Sequence, residues 1–243
     1  MKKLLSFIYG LISFIAFGCV LVASGVDPVY SLSVAVVLGV VLPIITPVKE
    51  FILFTSICGG LGANIKNNCD NPVQAGTVDR LVVINFADLL SVTRDPTTKE
   101  ITGIVLNSGA VAYEIDGQNN SIEPMAQMVE QGFNNMFDHA VRAKGFDIDQ
   151  AVKNELDTAK DGRFICICEN YYRGDSGNTA FEIYGLTTGL EITEIARDPN
   201  SEETQGAFDI YFFTKKNKEP KLPVTLFDTD YATTKAIVDG LLV

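Results

Sequence analysis

The residues with the strongest claim to chemistry lie in "RGDSGN", residues 173–178. The order Gly-Asp-Ser-Gly surrounds the nucleophile of chymotrypsin-like proteases, so Ser176 is the candidate nucleophile. Such a serine needs a base and an oxyanion hole. The single histidine, His139 in "FDHAV", lies 37 residues upstream, whereas in that protease family the histidine strand belongs to the other barrel. The flanking pocket elements are missing as well. Gly and Asp in sequence simply make a turn, and the tripeptide Arg173–Asp175 reads as part of that turn rather than as an integrin ligand. His139 alone reads as a hydrogen-bonded structural residue.

Other clusters fare no better. Asp228 and Asp230 flank one Thr but lack the loop a calcium site needs, so helix capping is the simpler reading. "GGLGAN" at 59–64 has no preceding strand and no third glycine in place for a dinucleotide fingerprint. Asn119 in "NNS" is a formal glycosylation acceptor without consequence for a cytoplasmic or bacterial domain. The five cysteines, Cys19, Cys58, Cys69, Cys166 and Cys168, contain no C-x-x-C, and one histidine cannot complete a usual zinc set. In "FICICEN", Cys166 and Cys168 fall on one face of a strand and make poor disulfide partners. They read as small core residues in a reducing compartment. The expectation is no catalytic residue, no metal site and no cofactor; the protein is not expected to be an enzyme.

The elements that must position these residues fall into three segments. Residues 1–65 form a hydrophobic leader. Leu4–Ser24 is a charge-free run long enough to span a bilayer. A second apolar run, from about Val29 to Val48, is broken by Pro43 and Pro47. Lysines flank the pair and none sits between them, which favours a transmembrane helical hairpin with both ends cytoplasmic. A third stretch, "FILFTSICGGLGA", is short for a span; if it also crosses, the large domain changes sides. A signal peptide fits less well, because a second long apolar run follows and no clear cleavage site is present. Packing of these helices against neighbouring subunits is the alternative that needs no lipid. Residues 66–78, rich in Asn, Pro and Gly, read as a linker.

Residues 79–243 read as a β-rich domain. Strand signals appear in "RLVVINF", in "EITGIVL" and "AVAYEID" around an "NSG" hairpin loop, in "RFICICE" (a nearly continuous apolar run, hence central), and in "AFDIYFFT" and "LPVTLF". Two alternating runs around "LTTG", within 178–198, predict a further hairpin with Phe181, Ile183, Leu190 and Ile192 facing the core and Glu182, Tyr184, Glu191 and Thr193 facing away. "AVKNELDTAK" predicts a helix capped by Asp147 or Asp149 and followed by Gly162. The C-terminal stretch predicts a second helix capped by Thr229 or Asp230, with Ala236, Ile237 and Leu241 inward. Residues 125–146 are ambiguous. Apolar residues at 125, 128, 129, 133, 136, 137, 140 and 141 have helical spacing. Gly132, Asn134, Asn135, Asp138 and His139 are poor helix formers, and Phe133, Phe137 and Val141 would also share a strand face.

The charge of −11 excludes some partners. Only Lys2, Lys3, Lys49, Asp27 and Glu50 precede residue 66, so the remainder carries 16 basic and 28 acidic residues. Such a domain repels phosphate backbones, and nucleic-acid binding is not expected.

"CDNPVQAGTVDRLVVINFADL", "RFICICENYYRGDSGNTAFEIYGLTTGLEI" and "LPVTLFDTDYATTKAIVDGLL" resemble, in sequence and order, phage virion proteins of tail-tube type from phages of Bacteroidetes-like bacteria. The resemblance covers about residues 69–243. It implies a mainly β, α+β fold, a β-sandwich or curled antiparallel sheet with one or two packed helices. It also implies extended strands over 125–146, assembly of copies into rings or a lattice, association with other virion proteins, and a place in the virion. The leader departs from that family, whose tube subunits lack a transmembrane hairpin. Physics alone also favours assembly, because edge strands offer unpaired N–H and C=O groups to another chain, with roughly 1,000 Å² or more buried per contact. The expected function is therefore a non-enzymatic, self-assembling structural subunit. The alternative is a bacterial membrane-anchored protein, held through residues 1–65, whose cytoplasmic β-rich domain binds a partner protein or ligand.

Overall fold

A computed structural model describes residues 63–66 and 68–243. The expected transmembrane hairpin lies outside the described residues; among those described, no helix is long and apolar enough to cross a membrane. Lys66–Val243 forms a compact unit. It is mainly β, with two helices, as the sequence leads one to expect.

The organising element is the run "RFICICEN", strand β7 (Arg163–Asn170). Its apolar residues are continuous because both of its faces are covered. Phe164, Cys166 and Cys168 enter one core, and Ile165 and Ile167 enter the other. Along one edge of β7 lies β1 (Thr77–Asn85), antiparallel, followed on the far side by the short β4 (Tyr113–Asp116). The opposite edge of β7 receives two strands end to end. Strand β8 (Phe181–Tyr184) pairs with Cys166–Glu169, and β9 (Leu190–Ala196) pairs with Arg163 and Phe164.

From these two strands the sheet continues as two arms. Beyond β8 come β11 (Val224–Leu226), β3 (Ile101–Leu106) and β2 (Leu89–Arg94). Beyond β9 come β10 (Phe208–Phe213), β6 (Asn134–Gly145) and β5 (Ile122–Gln131). All pairings are antiparallel except β11 with β3. Helix α1 (Gln150–Ala159) lays Leu156 and Ala159 against the core of the β9 arm. Helix α2 (Tyr231–Gly240) and the residue after it send Val238 and Leu241 into the core of the β8 arm. The N-caps are Asp149, accepting from the Val152 N–H at 2.8 Å, and Asp230, accepting from the Thr233 N–H at 2.7 Å.

Several expectations are corrected. The two runs around "LTTG" do not form a hairpin. β8 and β9 lie in line on the same edge of β7, and Gly185–Gly189 is an excursion between them. The excursion changes the side-chain phase: Phe181 and Ile183 enter one core, while Tyr184, Leu190 and Ile192 enter the other. Tyr184 is thus buried instead of facing outward. The "NSG" turn does not join paired strands either. β3 pairs with β2 and β11, and β4 pairs with β1, because Ala112 is drawn into the core and donates its N–H to the Leu241 carbonyl at 2.7 Å. In α2, Thr234 and Val238 are buried and Ala236 is exposed. Over 125–146 the strands that the resemblance implies are present, as β5 up to Gln131 and β6 from Asn134 to Gly145, and the helical spacing does not produce a helix. Strand β2 is an addition with no counterpart in the sequence reading.

Candidate functional site

The "RGDSG" segment is a structural knot. The Arg173 guanidinium donates to the Glu169 carboxylate at 3.1 Å and lies 4.0 Å over the Tyr231 ring. Tyr231 donates its hydroxyl to the same carboxylate at 2.6 Å. Asp175 accepts from the side-chain amides of Asn68 (3.2 Å) and Asn71 (2.9 Å), tying the linker segment to this loop. Gly177 has φ +81°, and a Cβ there would stand 2.6 Å from that of Tyr231, so the second glycine of the motif serves packing. Ser176 is exposed. Both nitrogens of His139 are taken by other groups, so the two halves of a serine–histidine pair are not brought together.

His139 sits on β6 and is 2 % exposed. Its Nδ1 accepts from the Gly185 N–H at 3.2 Å, which places the proton on Nε2 to donate to the Lys221 carbonyl at 2.9 Å. The ring meets Tyr184 edge-on at 5.6 Å. Tyr184 in turn donates to Glu182 at 2.7 Å. Beside it, Glu219, also 2 % exposed, accepts from the backbone N–H groups of Thr187 (3.0 Å) and Thr188 (2.7 Å) and from the Thr188 hydroxyl (3.0 Å). The backbone of Glu219 exchanges hydrogen bonds with Phe137 on β6. Asp138, buried, accepts from the Thr214 hydroxyl at 2.9 Å and from Lys218. The loop 214–221, the excursion 185–189 and β6 are therefore fastened at one polar node. Neither this node nor the motif knot was visible as a unit in the sequence; Glu219 in "KKNKEPK" has the look of a solvated loop residue.

Burial pushes the His139 pKa below its ordinary value of 6.5, against the pull of Glu219, the Lys221 carbonyl, Asp138 and Glu182. The folded state then binds fewer protons than the unfolded state below pH 6.5. The contribution of His139 to stability is complete above that pH and is lost as pH falls from 6.5 to the depressed folded-state value. Urea unfolding between pH 7.5 and 5.0 is expected to show a falling midpoint, and His139→Gln is expected to flatten that part of the profile. An equal slope in the variant would remove His139 as the cause.

Among the described residues no group of three or more His, Cys, Asp or Glu side chains is placed to hold a metal ion. Asp230 serves as the cap of α2, and Asp228 accepts from the Thr229 hydroxyl at 3.2 Å. Asn119 lies exposed in the turn before β5 with φ +54°. Burial raises the thiol pKa of both Cys166 and Cys168, which keeps them in the unreactive protonated form.

The outward-facing feature is the set of sheet edges. Among the described residues, β2, β4 and β5 each have a strand on one side only. The pairing of β2 is broken by two irregularities, between Leu89 and Ser91 and between Thr93 and Arg94. β4 is four residues long and carries Glu114 and Asp116. Irregularity, shortness and charge are what blunt an edge. β5 carries Glu123, Pro124 and Glu130, but it is the long and regular edge of the three, pairing with β6 through ten consecutive residues without a break.

The ladder also fixes which β5 groups face outward. Lys144 N–H donates to the Ser121 carbonyl at 3.2 Å, and the Ile122 carbonyl accepts from the Thr77 hydroxyl on the other side. Alternation then turns the backbone groups of positions 124, 126, 128 and 130 away from β6. Pro124 fits this strand because its nitrogen, which has no hydrogen to give, faces outward. Met125 and Met128 are exposed on β5, the latter at 66 %, and the two-residue turn Gly132–Phe133 leaves Phe133 fully exposed at the tip.

No protein-family model matches this chain, and the comparisons with curated proteins and with solved structures give no match.

Proposed function

We propose that this protein is a non-enzymatic structural subunit that assembles with copies of itself by adding a strand to the β5 edge. The observation that carries this is the free edge of β5, a strand paired with β6 over ten unbroken residues, where positions 126, 128 and 130 turn donors and acceptors outward and Met125 and Met128 are exposed. Water satisfies those groups in a lone copy; a neighbouring strand replaces the water and buries the methionines at the same time. The polar node around His139 supports the same reading, since its groups are spent on holding loops together and fixing the hairpin's direction.

The likeness of residues 69–243 to tail-tube proteins supports placing the subunit in a virion. The charge-free run Leu4–Ser24 supports a second reading, in which a membrane anchor carries the domain and β5 receives a different protein.

Sedimentation of the full-length chain in detergent tests the proposal. A multimer of defined mass, populated more fully as concentration rises and visible as a regular particle by electron microscopy, is expected. A monomer at the highest attainable concentration would overturn it.

A further inference from the structure

We infer that the tip of the β5–β6 hairpin in one copy seats in a groove at the base of the same hairpin in the next copy. This inference rests on the self-assembly reading and specifies a second contact within it.

The tip joins apolar surface to positive charge. Phe133 projects fully into solvent beyond Gly132, whose φ of +63° permits the two-residue turn. The tip is fastened to a lysine-rich loop, because Gln131 donates its side-chain amide to the Lys216 carbonyl at 2.9 Å and Phe137 bridges to Glu219. Lys216 and Lys221 of that loop are exposed. Of the acids nearby, Glu219 holds Thr187 and Thr188, Asp138 holds Lys218 and Glu191 pairs with Lys215, which leaves exposed Glu130 beside the tip. Exposed positive charge thus gathers in a domain where acids outnumber bases.

The complementary surface lies at the other end of β5. A groove of about 630 Å³ there is lined by Val73, Glu123, Pro124, Tyr172, Glu182 and Tyr184, among others, and by no lysine or arginine. Val73, Pro124 and the tyrosine rings suit a phenylalanine, and the carboxylates of Glu123 and Glu182 suit an ammonium group. Arg142 stands across the ladder from Glu123 but is held by both oxygens of Asp209. Two other grooves offer a poorer match, since one is lined by Lys153 and Lys160 and the other by Arg142.

The occupant is a second copy, because the strand itself separates the two surfaces. Glu123 and Gln131 are eight steps apart on β5, roughly 27 Å at strand spacing. A contact between unlike surfaces propagates, closing into a ring or extending as a filament.

The test places p-benzoylphenylalanine at position 133 of the full-length chain in detergent, irradiates it, and maps the crosslinked peptides. Crosslinks between copies to the segments 73–77, 120–124 and 170–184 are expected. In parallel, the double variant Lys216→Glu, Lys221→Glu should weaken assembly at least tenfold, and adding Glu123→Lys to it should restore assembly. A multimer whose crosslinks fall on other surfaces, or in which the charge reversals change nothing, overturns this contact and leaves strand addition standing. A chain that stays monomeric overturns both.

Discussion

Proline at position 128 is expected to abolish self-association while leaving the domain folded. In β5 the N–H of Met128 points away from β6, so Met128→Pro removes no bond of the existing ladder. It removes one of the donors a neighbouring strand would use, and its ring obstructs close approach. Pro124, four residues earlier and in the same phase, shows that the strand accepts the residue. The expected readout is a shift of the sedimenting species from multimer to monomer, with a thermal midpoint within a few degrees of the parent. Gln127→Pro is the control. Its N–H belongs to the bonded pair with Asp138, so that change should destabilise the hairpin itself. A Met128→Pro protein that sediments like the parent would remove β5 as the assembly edge.

The largest loss of stability outside the apolar cores is expected at Glu219. Glu219→Ala leaves the N–H groups of Thr187 and Thr188 without their acceptor. Each donor so stranded costs about 1–3 kcal/mol where it stays sheltered from water, an upper range of about 2–6 kcal/mol for this half-buried pair. That is a large fraction of the stability of a domain this size. Glu219→Gln keeps one acceptor oxygen and should cost roughly half as much. Urea denaturation of the three proteins checks the ranking. An alanine variant as stable as the glutamine variant would mean that water replaces the carboxylate freely and that the node does not hold the excursion 185–189.

What could be read in the sequence was whatever local chemistry decides. The unbroken apolar stretch Phe164–Cys168 announced a strand covered on both faces, and Asp149 and Asp230 announced helix starts. What could not be read depended on partners distant in the chain. The glycines of "GLTTG" suggest a reversal, but the chain only loops out and resumes in the same direction, so both flanks run antiparallel to β7 along one of its edges. The helical spacing over 125–141 arose because Met125, Met128 and Phe133 are exposed and do not belong to any core. Counting them with the buried Ala140 and Val141 produced a stripe that no single buried face requires. For the candidate site, the edge was foreseeable in kind but not in place: nothing local marks β5, rather than β2 or β4, as the long regular border. His139 could be foreseen as a hydrogen-bonded residue, whereas its partners Gly185 and Lys221 lie 46 and 82 positions away.

The end-to-end seating of β8 and β9 on β7 bears on how the domain melts. Two separate apolar clusters would ordinarily suggest two units that come apart independently. Here β7 and its neighbour β1 each supply side chains to both, so neither cluster can be dismantled without exposing the back of the other. Loss of order is therefore expected to be all-or-none across both arms, with thermal unfolding followed by two different probes giving one coincident transition.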